Sequence, residues 1–411
     1  MVQQQKTPTL RFKDFDDEWE KVLLNEIVSI VGGGTPSTSV DEYWDGDINW
    51  FSPTEVGESV YVTESDRKIT QLGLEKSSAK ILSADKTILF TSRAGIGDAA
   101  ILKTDSTTNQ GFQSLVLDDK TDIYFLYSQK ENLKRYATKN AAGSTFLEIS
   151  GKELGKMPII IPSFPEQSAI GTLFQTLDEL LSAYKDNLAN YQAFKATMLS
   201  KMFPKAGQTT PEIRLDGFDG EWEVNTLNNL ATFSKGNGYT KGDLSENGQP
   251  IILYGQLYTN YQTVISESAT FVAKIKDNSV FSEGGEVIVP ASGESSEDIS
   301  RASVVDAKGI LLGGDLNIIK VNQDTVDSVF LALTISNGSQ QRELIKRAQG
   351  KSVVHLRNND LEKVILTFPS IEEQRAIGAF FANLDDLIAS QQAKITELET
   401  LKKKLLQDMF V

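Results

Sequence analysis

The sequence predicts an α+β fold: two mixed α/β domains, each followed by a long helix, arranged as an internal repeat. Three observations carry this expectation. Two segments recur in the same order, the residues between them do not, and each second recurrence opens a heptad pattern too long for an ordinary surface helix. A chain of 411 residues is long enough for two to four domains. The expected division is a first domain over 1–162, a long helix over 163–205, a second domain over 206–369 and a second long helix over 370–411.

The repeat is the strongest signal, and a repeat takes precedence over residue-level patterns. TPTLRFKDFDDEWE (7–20) and TPEIRLDGFDGEWE (210–223) match at eight of 14 positions, among them Arg11/Arg214, Phe15/Phe218 and Trp19/Trp222. PSFPEQSAIGTLFQTLDELL (162–181) and PSIEEQRAIGAFFANLDDLI (369–388) match at 11 of 20, at an offset of 207. Residues 30–140 and 233–347 show no alignment. A duplicated enzyme would repeat its catalytic motifs; a two-part reader would repeat its scaffold and vary its reading surface. The paired tryptophans are expected to anchor the scaffold core.

After Pro165, apolar side chains recur at Ile170, Phe174, Leu177, Leu181, Tyr184, Leu188, Tyr191, Met198 and Met202, broken by Lys195. The second copy places Ile377, Phe381, Leu384, Ile388, Ile395, Leu398, Leu405 and Met409 in the same series, with Gln391 and Lys402 completing it. Alternating steps of four and three over about five heptads define a coiled-coil seam. Each helix would have about 37 residues and a length of about 55 Å. Such seams need partners, and each helix is the natural partner of the other. The packing residues expected are Ile170, Phe174, Leu177, Leu181 and Leu188 against Ile377, Phe381, Leu384, Ile388, Ile395 and Leu398. The pattern alone permits either relative direction. Lys195 and Lys402 occupy equivalent heptad positions. Glu166, Gln167, Glu373 and Gln374 fall in the first helical turns, where capping explains them and where a partner protein is the alternative.

The variable segments read as mixed α/β. Short β-like runs, TILF (87–90), AAIL (99–102), EVIVP (286–290) and LNIIKV (316–321), alternate with Gly-, Ser- and Asn-rich turns. Residues 124–139 and 326–348 are expected to be helical. GGGTPS (32–37), SRAGIG (92–97) and ASGESS (291–296) predict tight loops.

Composition narrows the function classes. Hydrophobic residues at 40% and charged residues at 24% belong to a soluble globular chain. No run of 18 apolar residues predicts a membrane span, and the polar start lacks a signal core. With no cysteine and one histidine, disulfides, thiolate metal sites and histidine-based zinc clusters are excluded. A cytoplasmic location is expected. The net charge of −15 is unlike a simple DNA binder. It is spread over both halves: residues 1–165 carry 18 basic and 24 acidic groups, and residues 210–370 carry 14 and 21.

Enzyme motifs fail on spacing. QGKSVV (349–354) contains Gly-Lys-Ser, but a phosphate loop needs glycine where Ile345 stands. GGGTPS lacks dinucleotide-loop spacing and contains Pro36. No Asn/Asp-Pro-Pro-aromatic tetrapeptide is present for holding a target adenine. The acidic runs at 41–47 and 294–298 read as solvated loops before metal sites, and His355, between Val354 and Leu356, as a strand or core-edge residue.

At this point the chain resembles the specificity subunit of type I restriction–modification systems. The likeness rests on GGGTPSTSVDEYWDGDINWFSPTEVG (32–57), TSRAGIGDAAI (91–101) and NQGFQSLV (109–116), then on KGNGYTKGDLSENGQPIILYGQLYTNY (235–261), PASGESSEDI (290–299) and GGDLNII (313–319). The PS-x-x-EQ-x-AIG element at the head of both helices completes it. The resemblance implies two target-recognition domains on two long antiparallel coiled-coil helices with a pseudo-two-fold repeat. It implies a non-catalytic subunit in which each domain reads one half of a bipartite, asymmetric site in double-stranded DNA. It also implies two methyltransferase subunits docked on the helices and two motor–nuclease subunits. S-adenosylmethionine, ATP and magnesium would serve those partners in adenine N6 methylation and cleavage, and no cofactor or metal is expected on this chain.

Base readout needs polar side chains on exposed loops. The candidates in the first domain are Thr35, Ser37, Ser92, Arg93, Asn109 and Gln110. Arg93 beside a glycine-rich turn suits bidentate contact with guanine; the alternatives are a carboxylate partner for Arg93 and a turn cap for Asn109. The candidates in the second domain are Lys235, Tyr239, Lys241, Tyr254, Gln256, Tyr258 and Ser292. Its tyrosines either face the groove or pack a hairpin face. Rival functions are a stand-alone methyltransferase or nuclease, opposed by the missing motifs; an acidic DNA mimic, which has no need of a duplicated scaffold; and a coiled-coil adaptor without a DNA role.

Overall fold

The computed structural model describes residues 7–93, 95–143, 147–348, 350 and 353–411. The chain divides into two compact units, residues 1–186 with 392–411, and residues 187–391. Each unit therefore contains one α/β domain and part of both long helices.

The predicted strands form where buried runs of apolar and β-branched residues lie. Thr87–Phe90 and Ala99–Leu102 are buried at every position, as is Glu286–Pro290. In the first unit a five-stranded sheet runs in the order Val28–Gly32, Gln113–Leu117, Thr87–Phe90, Ala99–Leu102, Tyr61–Val62. Its neighbours are antiparallel except the last pair. The second unit repeats this order and the same parallel edge with Ala231–Lys235, Leu316–Val321, Glu286–Pro290, Ser303–Val305 and Val264–Ile265. A smaller sheet beside each carries one parallel pair, Trp44–Phe51 with Ser106–Thr108 and Gln249–Ile252 with Leu311–Leu312. Two-stranded ribbons, Glu20–Leu23 with Pro158–Ile161 and Glu223–Thr226 with Ile365–Phe368, tie the start of each domain to its end. The segments that share no sequence thus share a topology.

The helices expected over 124–139 and 326–348 are each two helices. Ile123–Ser128 and Lys130–Asn140 break at Gln129, and Ser328–Ser336 and Gly338–Arg347 break at Asn337. Asn337 takes an extended backbone and its amide donates to the Leu333 carbonyl at 2.8 Å, which ends the first helix of its pair. Asp122 and Asp327 cap the leading helices by accepting from the N–H of Phe125 and Phe330, both at 2.9 Å.

The long helices span Phe164–Lys201 and Ile371–Asp408, 38 residues each, or about 57 Å. Within each unit they pair antiparallel. In the first, Lys402 binds Asp178 and Lys185 binds Glu399 at 2.8 Å; in the second, Lys195 binds Asp385. The two lysines in the heptad therefore form matched ion pairs, each answering an aspartate of the LDELL/LDDLI segment.

The helix heads serve the domain cores as much as the seam, which corrects the packing expected of them. Ile170, Phe174 and Leu177 lie in one core with Trp19, Phe125 and Met409; Ile377, Phe381 and Leu384 lie in the other with Trp222, Phe330 and Met202. Phe410 packs on Phe125 and Phe174 (5.4 and 5.7 Å between ring centroids), and Phe203 on Phe330 and Phe381 (5.7 and 6.2 Å). Leu181 and Ile395 are buried along the helices, and Leu188, Ile388 and Leu398 are half-buried. The paired tryptophans are core anchors at 3% and 2% exposure.

The Glu-Gln pairs do not cap the helices; each ties its domain together. Glu166 accepts two hydrogen bonds from Arg11, both 2.7 Å, and Glu373 two from Arg214 at 2.8 and 2.6 Å. Gln167 accepts from the Asp122 N–H and donates to the Pro162 carbonyl, and Gln374 does the same with Asp327 and Pro369. All four side chains are buried, so they are not an exposed partner surface. Gly171 follows from this arrangement: a Cβ there would lie 2.2 Å from the Asp122 carboxylate.

Candidate nucleic-acid interface

In the first domain three loops converge at one end of the sheets. The Gly-rich loop after Val28–Gly32 crosses the Thr108–Gln110 loop so closely that a Cβ on Gly33 would sit 2.0 Å from the Asn109 carbonyl. The second domain makes the same crossing, with 2.0 Å between a Gly236 Cβ and the Gly313 carbonyl. The third loop, after Thr87–Phe90, is held by the Ser92 N–H donating to Gly111 O at 2.7 Å and Ser92 O accepting from Ile149 at 3.0 Å. In the second domain Ala291 is held in the same way by Asp315 and Leu356.

This convergence links the loops that carry Thr35, Arg93, Asn109 and Gln110, with Ser37 two residues beyond Thr35 on the first of them. Thr35 donates to the Gln110 side-chain oxygen, and Ser37 and Gln110 are exposed. Arg93 is half-buried and has no carboxylate partner among the described residues. Asn109 caps its own turn, accepting from the Gly111 N–H at 2.7 Å. Ser92 is fully buried, so its hydroxyl cannot reach a base edge; its place is structural.

In the second domain Tyr239, Lys241, Tyr254, Gln256 and Tyr258 line one cleft of about 840 Å³, together with Glu294 and Asp315. Lys241 and Lys235 are exposed, and Tyr254 and Tyr258 stand 6.3 Å apart. Burial first, and then Tyr254 with the carboxylates Glu294 and Asp298, raise the Tyr258 phenol above its ordinary value. Three candidates are structural instead. Tyr239 is buried and its hydroxyl is taken by Ser279 and the Lys276 N–H. Ser292 is buried in a strand pair with His355. Gln256 uses both ends of its amide internally, accepting from Leu253 N–H at 2.8 Å and donating to Thr270. His355 itself is exposed on that strand.

Sequence reasoning missed Glu294, which stood inside a run read as a solvated loop, and Arg67, whose guanidinium lies 3.7 Å over the Trp44 ring. No group of three His, Cys, Asp or Glu side chains is arranged to hold a metal among the described residues, the acidic runs included. Of the Gly-Lys-Ser stretch, Gln349, Lys351 and Ser352 lie outside the described residues. No described helix is long and apolar enough to cross a membrane.

A doubled α/β domain on paired helices, with polar loops gathered at one end of each sheet, defines a duplicated scaffold that presents two different sets of loops. The comparisons make that specific. The family described as type I restriction modification DNA specificity domain matches residues 16–216 and again 219–400, so the chain belongs to that family. A specificity subunit of Methanocaldococcus jannaschii (MjaIX) is 27% identical over 406 residues, covering 95% of this chain and 92% of that one. A specificity subunit of an Escherichia coli type I restriction enzyme is 30% identical over 188 residues, 44% of this chain and 45% of its own. Among solved structures, the S subunit of a type I system from M. genitalium superposes with a TM-score of 0.60 at 15% identity, over 98% of this chain and 99% of that one. A structure of type I system assembly superposes with 0.52 at 16%, over 95% and 97%.

Proposed function

We propose that each domain of this subunit reads one half of a bipartite, asymmetric DNA sequence in the major groove, and so chooses where a type I complex methylates adenine N6 or cleaves. The observation that carries it is the repetition of one sheet order, strand for strand, with unrelated residues on the loops at its end. A common frame with different loop chemistry is what two unrelated half-sites require.

The long helices dock two methyltransferase subunits, and two motor–nuclease subunits join for cleavage. Matched exposed apolar residues support two equal docking places: Leu180 (41%) and Leu401 (44%) in the first unit, Leu387 (42%) and Phe194 (45%) at the same offsets in the second. S-adenosylmethionine, ATP and magnesium serve the partners. Most phosphate contacts come from the methyltransferases, consistent with the charge of −15. The chain acts in the cytoplasm, where the DNA is.

The test is genome-wide adenine methylation in cells expressing the cognate methyltransferase with and without this chain. A split motif that appears only with the chain is expected. A soluble complex that yields no new motif would refute the proposal. Exchanging residues 30–140 for those of another such subunit should change one half of the motif and leave the other.

A further inference from the structure

We infer that Arg93 is the residue through which the first domain demands a guanine in its half-site. The inference rests on the bipartite reading above and names one of its contacts.

Of the four arginines in residues 1–165, three have other surroundings. Arg11 is locked to Glu166, Arg67 lies on Trp44, and Arg135 is exposed on a helix. Arg93 is half-buried and has neither a carboxylate nor a ring partner among the described residues. No described residue engages its five guanidinium donors, which leaves them open to a ligand's acceptors.

Described residues of the loop that presents Arg93 are held by hydrogen bonds. Besides the two bonds at Ser92, the Thr91 hydroxyl donates to Gly95 O at 2.6 Å and accepts from the Asp98 N–H at 2.9 Å. Lys134 in turn holds the Asp98 carboxylate at 2.8 Å. A phosphate contact tolerates a mobile lysine, whereas the two parallel bonds of guanidinium to guanine O6 and N7 need a fork fixed in place. The neighbouring loop, tied to this one by the Ser92 N–H donating to Gly111 O, carries Gln110, whose side-chain oxygen accepts from the Thr35 hydroxyl. The second domain lacks this arginine: Ser292 occupies the corresponding position, counted from Ser92 and Ala291, and is buried. A guanine requirement of this origin therefore belongs to one half-site alone.

The experiment expresses the full chain, as wild type, Arg93→Ala and Arg93→Lys, with its methyltransferase and reads all methylated motifs. The exchange of residues 30–140 identifies the half-site of the first domain. The wild-type half-site should contain a fixed guanine. In Arg93→Ala the preference at that position, roughly 5- to 150-fold for a bidentate contact, should vanish while the other half-site is unchanged. Arg93→Lys should keep a weaker preference. A half-site without guanine overturns the inference. So does an unchanged motif methylated uniformly less, which is the signature of a phosphate contact. If Arg93→Ala does not fold, Arg93→Lys decides: relaxation at the guanine upholds the assignment and a wild-type motif overturns it. A wild-type chain that directs no split motif overturns the bipartite reading itself.

Discussion

Replacing Arg11 by methionine should unfold the first unit early while leaving the second nearly untouched. Glu166 is 1% exposed and Arg11 15%, so the pair is largely dehydrated. Its two bonds of 2.7 Å are joined by a third from Arg11 to the Asp17 carbonyl at 2.6 Å. Removing the arginine strands a carboxylate in the core, which costs about 3–5 kcal/mol. For a unit of this size that is a fall of roughly 6–20 °C in Tm. Removing both charges is a different perturbation. Arg11→Met with Glu166→Leu replaces the ion pair by apolar volume, and such replacements are often neutral or stabilising. The double variant should therefore recover most of the loss. Arg214→Met should reproduce the effect in the second unit, because Glu373 is also 1% exposed and Arg214 19%. Calorimetry of the three variants, with unit-specific hydrogen exchange to assign the transitions, measures all of this. A loss under about 1 kcal/mol for Arg11→Met, or a double variant as unstable as the single, would refute the argument that the buried carboxylate dominates.

Three further outcomes are expected. Gly171→Ala should destabilise by about 1–3 kcal/mol, because its Cβ would lie 2.2 Å from Asp122, whereas Gly378→Ala, with nothing nearer than 3.4 Å, should be neutral or gain up to about 1 kcal/mol of helix propensity; denaturant midpoints decide between them. Burial, and then the charge of Asp178, raises the phenols of Tyr124 and Tyr127, and a group whose folded pKa lies above its unfolded value stabilises below the unfolded pKa and loses that contribution as pH rises. The first unit should therefore weaken above about pH 10, with these tyrosines ionising only on unfolding; absorbance showing all tyrosines titrating together in a folded chain would contradict it. The isolated subunit should bind DNA weakly, with little sequence preference and a shallow salt dependence; nanomolar binding at physiological salt would show that it supplies its own phosphate contacts.

What was legible in the sequence follows the range of the interactions involved. Strands such as Thr87–Phe90 and Leu316–Val321 are set by local apolar runs, and they form where those runs predict. The helix lengths were legible because the heptad persists. The Asn-Gly step at 337–338 marks the break at Asn337, although the helix expected over 326–348 runs through it. The partners of Lys195 and Lys402 were hidden because Asp385 and Asp178 are 190 and 224 residues distant. Candidate readers were chosen by residue type and loop composition, which cannot tell an exposed Ser37 from a buried Ser92. The shared topology of the variable segments was invisible because it is held by main-chain pairing and by apolar residues of different identity.

The repeated residues are those that must satisfy two structures at once. The helix Phe164–Lys201 enters one core with Ile170 and Phe174, and the residues after it, Met202 and Phe203, complete the other. Ile371–Asp408 does the converse with Ile377 and Phe381 at its head and Met409 after its end. A change at such a position strains a domain and a helix pair together, whereas the converging loops are bounded mainly by one another. That division sets a rule for exchanging specificities. An exchanged segment should carry an aspartate equivalent to Asp122 or Asp327, because its carboxylate caps the next helix, while its N–H, which any residue but proline could offer, is taken by Gln167 or Gln374. A graft with alanine there should lose about 1 kcal/mol from the cap alone, and a graft that keeps the aspartate should carry its loops, and with them its half-site, intact.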